Sequence, residues 1–223
     1  MAARETEFSA AVEDYAKAIY ALQLRCGGAV STNALAERLG VTAASASGMV
    51  RKLDEHGLVT HVPYKGVKLT DEGTRLALEV LRHHRLLELY LAESLGVPWD
   101  RVHEEAEVLE HVLSEDLEAL IAAKLGNPTH DPHGDPIPTA DLEMPEEETA
   151  CLAELEPGAS GTFVRVSDSD PEMLRYLAER NIAPGAEVRV EDKQPFGGPL
   201  FVAINNQTHV LGGQLAGAMR VRL

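Results

Sequence analysis

Histidine and glutamate side chains recur at helical spacing in the middle of the chain. Four of them stand at positions i, i+4, i+7 and i+8 of a helix predicted from Asp100 to Leu125: His103, Glu107, Glu110 and His111. This spacing puts all four on one helix face. Imidazole and carboxylate groups together are ligands that divalent transition metals take in proteins. We therefore predict that this face binds a metal ion.

A second His and Glu pair stands on the preceding predicted helix, which runs from Asp71 to Leu95. His84 and Glu88 are again four residues apart and share a helix face. One such pair is usually a solvated surface, but two neighbouring helices that each carry one offer up to six ligands. Four glutamates between residues 104 and 110 also repel one another, with Arg101 as the basic residue nearby. A bound cation would relieve that repulsion.

Acidic residues are concentrated in the middle of the chain. The 223 residues carry a formal net charge of −16. This divides into −1 for residues 1–72, −13 for residues 73–148 and −2 for residues 149–223. Within the first segment, the stretch from Val41 to Leu69 holds four Lys or Arg and two acidic residues. One local surface therefore suits a phosphate partner and another suits cations.

The basic stretch coincides with a helix-turn-helix pattern. An amphipathic helix over Ser9 to Leu24 precedes two short helices, Asn33 to Leu39 and Ala43 to His56, that flank a glycine turn. A β-hairpin around the turn from Pro63 to Gly66 then forms a wing.

This pattern predicts a winged helix that binds double-stranded DNA with its second short helix in the major groove. The residues expected to contact DNA are Thr42, Ala44, Ser45, Ser47, Arg51, Lys52, Tyr64 and Lys65. The small side chains at the tip of this helix imply few direct base contacts and a modest affinity per subunit. We therefore expect a homodimer on a palindromic operator.

The last part of the chain has a different pattern. Residues 126–148 are rich in proline and acids and are predicted to form a linker. Short β-type runs then alternate with glycine turns and one helix near Glu172 to Arg180, which predicts a small SH3-like β-barrel. The expected fold class is mainly α with small β parts. Its predicted domains are a winged helix-turn-helix over 1–72, a helical dimerisation and metal-binding domain over 73–148, and the SH3-like domain over 149–223.

Other classes of protein fit less well. No HExxH, GxSxG, GxGxxG or phosphate-binding GKS/T motif is present, so we expect no catalytic residues and no enzyme activity. Cys26 and Cys151 form no CxxC motif, which leaves no zinc ribbon or redox pair. Without a long apolar run or the pattern of a secretory signal, a cytoplasmic protein with no membrane partner is expected. The alternative is a winged-helix regulator that responds to an organic ligand or a protein partner through its C-terminal barrel.

Four separated blocks of the sequence resemble one family. They are VEDYAKAIYAL, LAERLGVTAASASGMVRKLDEHGLV, HHRLLELYL and VHEEAEVLEHVLSEDLEALI. In order and spacing they are similar to the diphtheria toxin repressor family of iron- and manganese-dependent regulators, and the HGDPIP and RVSDSDPEMLRYL segments fit as well. The resemblance implies a transcriptional repressor of metal-homeostasis genes that is activated by Mn(II) or Fe(II). It also implies that the C-terminal barrel is a FeoA-like domain.

The resemblance also implies two metal sites. The first would be formed by Asp14, Glu107, Glu110 and His111. The second would be formed by His84, Glu88 and His103. Oxygen ligands from the C-terminal segment would complete the second site, and the candidates are Asp168, Asp170 and Glu172. In the manganese subgroup of the family, His84 would join the first site instead.

Two positions depart from the family pattern. Glu107 stands where iron-sensing members have a cysteine, and the exchange of a soft thiolate for a hard carboxylate favours manganese. Lys17 stands where manganese regulators often have an acidic ligand, which argues against a two-ion cluster at the first site. An ion shared by Asp14 and the middle segment would connect the DNA-binding segment to the body of the dimer.

Overall fold

The computed structural model describes residues 8–62 and 64–223. Residues 1–7 of the predicted first domain and Pro63 of the predicted wing turn lie outside this part. The chain forms two compact units. Within the described part, the first unit comprises residues up to His84, residues 107–121 and residues 138–144; the second comprises residues 85–106, 122–137 and 145–223.

Three helices and a hairpin open the first unit. They are α1 (Ala10–Cys26), α2 (Thr32–Arg38), α3 (Ala43–Glu55), β1 (Val59–Val62) and β2 (Gly66–Leu69). The two strands pair antiparallel, with Val59 opposite Leu69. Apolar side chains from all these elements form one buried core, which includes Ile19, Leu35 and Leu53. Burial of this core is the main force that holds the winged helix together.

Side-chain caps explain where the short helices begin. The Ser31 hydroxyl accepts a hydrogen bond from the Ala34 N–H at 3.2 Å, and the Thr42 hydroxyl accepts one from the Ser45 N–H at 3.1 Å. Each cap satisfies an N–H group that the helix itself leaves without a partner. The predicted helix-turn-helix is confirmed, with every helix end within two residues of its predicted place.

Three further helices follow the hairpin: α4 (Asp71–Leu95), α5 (Val102–Leu109) and α6 (Glu115–Lys124). The prediction of α4 is confirmed, but the prediction of a single helix from Asp100 to Leu125 is wrong. The chain leaves α5 at Glu110, and Ser114 then starts α6 by accepting backbone N–H groups from Leu117 and Glu118. A serine before an acidic first turn is a helix start signal, and the continuous apolar spacing concealed it.

The second unit contains one antiparallel sheet of six strands. The strands are β3 (Ala150–Cys151), β4 (Ser160–Val166), β5 (Glu187–Lys193), β6 (Leu200–Ile204), β7 (Gln207–Leu211) and β8 (Met219–Arg222). Their order is β3-β8-β4-β5-β6-β7. A 3-10 turn at Leu152–Glu154 and two helices, α7 (Pro171–Ala178) and α8 (Gly213–Ala218), accompany the sheet. The predicted fold class is confirmed, although β3 and α8 were not predicted.

The segment over residues 126–148 forms no regular helix or strand, as predicted, but part of it is packed rather than solvated. Asp131, His133 and Ile137 are buried. Arg85 holds this stretch through hydrogen bonds to the carbonyl of Pro136 and to the Asp135 carboxylate. Among the residues that the structure describes, no helix is both long and apolar enough to cross a membrane.

Candidate metal centres and nucleic-acid interface

The first cluster of metal-binding groups joins α1 to the turn that follows α5. Asp14 lies on α1, while Glu110 and His111 lie in the turn. Nε2 of His111 is 3.0 Å from Oδ1 of Asp14 and 3.5 Å from Oε1 of Glu110. One ligand atom from each of the three residues lies within 4.8 Å of the others. This spacing is compatible with a single shared ion.

His84 and Glu107 extend the first cluster. Nδ1 of His84 is hydrogen-bonded to Oε2 of Glu110 and lies 3.7 Å from Oε1 of Glu107. The Glu110 side chain is fully buried, whereas that of Glu107 is 40% exposed. The structure therefore brings together the four residues expected at the first site, and it places His84 beside them.

Two further charged residues belong to this cluster, and neither was expected to be a metal ligand. Glu13 is buried, and its Oε2 lies 2.6 Å from Nδ1 of His111. The carboxylates of Asp14 and Glu13 raise the pKa of His111 to about 10. The sequence signal for Glu13 was weak, because this acid lies about 100° around the helix from Val12, at the edge of the predicted apolar face.

The other charged residue is Lys17, which the resemblance had already placed at the first site. Its ammonium donates hydrogen bonds to Oε1 of Glu107 and Oε1 of Glu110, both at 2.6 Å. Burial by itself lowers the pKa of Lys17, but the carboxylates of Glu110 and Glu107 outweigh burial and raise it. The lysine therefore carries a positive charge beside two of the expected ligands.

A second cluster lies within the second unit. Nδ1 of His103 is 3.2 Å from Oε1 of Glu88 and 3.1 Å from Oδ2 of Asp168. The carboxylates of Asp168 and Glu88 raise the pKa of His103 to about 10. The expectation that His103 shares one helix face with Glu107, Glu110 and His111 is wrong, because α5 ends before Glu110.

The structure does not bring the other two candidate oxygen ligands into this cluster. Asp170 caps α7 by accepting the Glu172 N–H at 2.9 Å. The Glu172 side chain is 88% exposed and faces Arg175 at 4.0 Å. Of the three candidates in this segment, Asp168 alone approaches Glu88 and His103.

Two buried residues adjoin the second cluster and had no role in the sequence analysis. Ligand atoms of Glu88, Asp131 and His133 lie within 4.8 Å of one another, and all three residues are buried. Nε2 of His133 is 2.7 Å from the Trp99 carbonyl and donates to it, while Nδ1 lies 3.7 Å from Oε2 of Glu88.

The HGDP sequence at residues 133–136 was the available signal for the burial of His133. Gly134 has φ 87°, and a Cβ at this position would lie 1.8 Å from the carbonyl oxygen of Val164. Only glycine fits so close an approach. The glycine therefore lets the loop pack tightly and carry His133 into the interior.

The donor chemistry of both clusters fits a divalent ion. Every candidate ligand is an imidazole or a carboxylate, the set that suits manganese and ferrous iron. Among the described residues, Nδ1 of His133 is a buried ring nitrogen without a hydrogen-bond partner. His133 also has the arrangement typical of a metal-bound imidazole, because its other ring nitrogen is fixed by a backbone carbonyl.

The predicted DNA-contacting residues lie on the surface of the winged helix. Thr42, Ala44 and Ser45 are exposed at the start of α3, and Ser47 is partly exposed. Farther along the chain, Arg51 and Lys52 on α3 and Tyr64 and Lys65 in the wing are also exposed. Tyr64 has φ 61°, which turns the wing tip. Hydroxyls, small side chains and basic groups on one winged helix suit contact with a DNA backbone.

Three family models match successive parts of the chain. Residues 7–67 match the N-terminal DNA-binding domain of iron-dependent repressors, and residues 70–139 match their metal-binding and dimerisation domain. Residues 150–223 match the FeoA domain.

Curated relatives extend these matches over most of the chain. The iron-dependent repressor IdeR of Mycobacterium tuberculosis is 33% identical over 199 residues, which cover 84% of this chain and 86% of the relative. The chain belongs to the diphtheria toxin repressor family. A second member, the diphtheria toxin repressor of Corynebacterium efficiens, is 32% identical and is matched over 94% of each chain. Membership identifies a metal-dependent transcriptional repressor.

Solved structures of the family give the same result. A manganese-dependent transcriptional repressor in complex with manganese is 47% identical and has a TM-score of 0.88. The match covers 94% of this chain and 98% of that chain. The manganese regulator SloR is 30% identical, with a TM-score of 0.78 and coverage of 95% of this chain and 97% of that chain.

Proposed function

We propose that this family member represses metal-homeostasis genes by binding a palindromic operator as a homodimer when Mn(II) or Fe(II) is bound. In this proposal residues 1–72 contact DNA, residues 73–148 bind metal and form the dimer, and residues 149–223 form an SH3-like accessory domain. Because its target is DNA, we place its action in the cytoplasm.

One observation carries the proposal. His111, in the turn after α5, lies 3.0 Å from Asp14 on the helix that opens the winged helix. The groups that we propose to bind one ion therefore come from the DNA-binding segment and from the segment that matches a dimerisation domain.

The first site is proposed to be formed by Asp14, Glu107, Glu110, His111 and His84. An ion bound there would supply the positive charge that balances the carboxylates among these ligands. Asp14 ties α1 to the turn, and Glu13 orients His111 through its other ring nitrogen. If the arrangement that binds the ion is also the one that binds DNA, the two binding events are coupled, typically by about 1–3 kcal/mol.

We favour manganese over iron at the first site. Its proposed ligands are oxygen and imidazole nitrogen atoms, with the carboxylate of Glu107 where iron-sensing members have a soft thiolate. Hard oxygen ligands suit Mn(II), whereas thiolates select softer metals. The manganese-bound repressor that resembles this chain at 47% identity supports the same preference.

A second ion is proposed at Glu88, His103 and Asp168. The buried groups of Asp131 and His133 beside Glu88 give this cluster further ligands. Asp170 and Glu172, which were candidates from the sequence, are left out because of where they lie.

DNA contact is proposed for the exposed residues of α3 and the wing. The candidates are Thr42, Ala44, Ser45, Ser47, Arg51, Lys52, Tyr64 and Lys65. Basic side chains would bind phosphates, and the small residues at the start of α3 would permit close approach to the groove.

The proposal is tested by selecting operators from random duplexes in the presence of Mn(II) and then titrating DNA binding with each metal in turn. We expect a two-fold symmetric site, binding that requires Mn(II) or Fe(II), and a stronger DNA-binding response to Mn(II) than to Fe(II). If the protein binds these operators with the same affinity with and without metal, the proposal is overturned. That result would favour a regulator that responds to an organic ligand or a protein partner.

A further inference from the structure

Lys17 occupies an unusual place for a basic side chain, because it lies inside a group of metal ligands. Its ammonium is 2.6 Å from Glu107 and 2.6 Å from Glu110, and its side chain is only 16% exposed. It stands on α1, three residues after Asp14. The lysine therefore reaches the cluster from the DNA-binding segment, as Asp14 does.

The charges of the cluster explain why the ammonium lies there. Four carboxylates, those of Glu13, Asp14, Glu107 and Glu110, approach one another, and two of them are almost fully buried. Buried carboxylates are unstable without a cation or hydrogen-bond donors near them. Lys17 supplies a positive charge and hydrogen-bond donors to Glu107 and Glu110.

We propose that Lys17 is a built-in competitor for the metal ion and sets the metal concentration at which the first site fills. In the metal-free protein its ammonium holds Glu107 and Glu110. The oxygens that it occupies become fully available to a divalent ion only when the ammonium releases them, so part of the binding free energy is used to break these two contacts. This inference rests on the proposed function, because it assumes that the ion binds at this cluster.

The competitor role and a purely supporting role make opposite predictions. If Lys17 merely held the carboxylates in place for the ion, its removal would weaken metal binding. If Lys17 competes, its removal leaves two carboxylates without their cation. The metal-free protein then becomes less stable and the ion binds more tightly.

The experiment compares Lys17→Met with the wild-type full-length chain by direct titration with Mn(II) in the absence of DNA, with free Mn(II) measured by electron paramagnetic resonance. The binding step that Asp14→Ala removes is assigned to the first site. We expect Lys17→Met to lower the dissociation constant of this step by about tenfold or more. Lys124→Met, which removes an exposed lysine of α6, should leave the constant unchanged.

Thermal unfolding gives the second readout. Metal-free Lys17→Met should unfold at a lower temperature than the wild type, and Mn(II) should raise that temperature by more than it does in the wild type. Lys17→Arg keeps the charge and should bind Mn(II) no more tightly than the wild type does. If Lys17→Met proves too unstable to titrate, Lys17→Gln takes its place with the same expectation.

The outcomes separate this inference from the proposed function. Suppose that Mn(II) binding to the wild type depends on Asp14. Unchanged or weaker binding in the folded Lys17→Met or Lys17→Gln variant would then overturn the competitor role alone. A wild type without any Asp14-dependent Mn(II) binding would overturn the proposed site and the competitor role together.

Discussion

At the scale of single residues, the chemistry of the first cluster depends on which atom position 107 offers to the metal. The Glu107 side chain is 40% exposed, so a smaller side chain fits there without leaving a buried cavity. Glu107→Cys replaces a hard oxygen ligand with a soft thiolate. We expect this variant to bind Fe(II) more tightly relative to Mn(II) than the wild type does, by about tenfold in the ratio of dissociation constants.

Competition binding with both metals under anaerobic conditions measures this ratio. Glu107→Gln is the control, because it keeps an oxygen ligand and removes only the charge. Equal metal preferences in the wild type and Glu107→Cys would contradict the argument from ligand hardness.

Protonation of His111 leads to a second residue-scale prediction. Asp14 and Glu13 raise the pKa of His111 to about 10 in the metal-free protein, above its ordinary value of 6.5. Between these pH values the folded protein therefore holds a proton that a metal-bound imidazole nitrogen must lose. Metal affinity at the first site should rise with pH up to about 10 and fall as the pH is lowered.

Calorimetry at pH 8 in two buffers with different enthalpies of ionisation measures the protons released. We expect a heat that depends on the buffer and corresponds to about one proton per ion at this site. A heat of binding that is the same in both buffers would show that His111 carries no proton to lose.

At the scale of elements, the wing depends on one glycine. Gly66 begins β2 with φ 115°, and a Cβ there would lie 1.9 Å from the carbonyl oxygen of Val30. Val30 bridges to Val67 beside it, so the backbone cannot move away without breaking that bridge. Gly66→Ala should lower the free energy of unfolding by about 2 kcal/mol or more.

Gly48 provides the matched control. It lies inside α3 with open space where a Cβ would stand, so Gly48→Ala should raise the free energy of unfolding by up to about 1 kcal/mol. Chemical denaturation of both variants gives the two values. A Gly66→Ala variant as stable as the wild type would mean that the wing does not pack as the structure describes.

The elements also show how far the sequence alone could lead. Caps and glycine stops predicted α1 to α4 and the hairpin because these signals are local. The turn after α5 was not predicted, because the apolar spacing continues through it and hides the helix start at Ser114. Asp14 was expected at the first site from resemblance alone, since no local pattern links α1 to Glu110. Asp131 and His133 were missed because their burial depends on Gly134 and on long-range packing.

At the scale of the whole molecule, exposed apolar side chains suggest where two copies meet. Several such residues lie between positions 108 and 120 of the first unit: Val108, Leu109, Val112, Leu117 and Leu120. Clustered exposed apolar residues mark interaction surfaces, and these fall within the segment that matches a dimerisation domain.

We expect the double substitution Val112→Glu and Leu120→Glu to raise the dissociation constant of the dimer by about tenfold or more, because glutamates would face one another across a two-fold interface. Sedimentation velocity measures this constant. Leu24→Glu, at an exposed leucine of α1, should leave it unchanged. A double variant as dimeric as the wild type would place the interface elsewhere.

The account depends most on an ion that Asp14 shares with the turn after α5. The most direct test measures operator affinity by fluorescence anisotropy for the wild type and Asp14→Ala, first after exhaustive chelation and then with saturating Mn(II). We predict that Mn(II) strengthens wild-type binding by about 5- to 150-fold and that Asp14→Ala, still dimeric, loses most of this gain. Equal wild-type affinity with and without metal, or an undiminished gain in Asp14→Ala, would contradict the account.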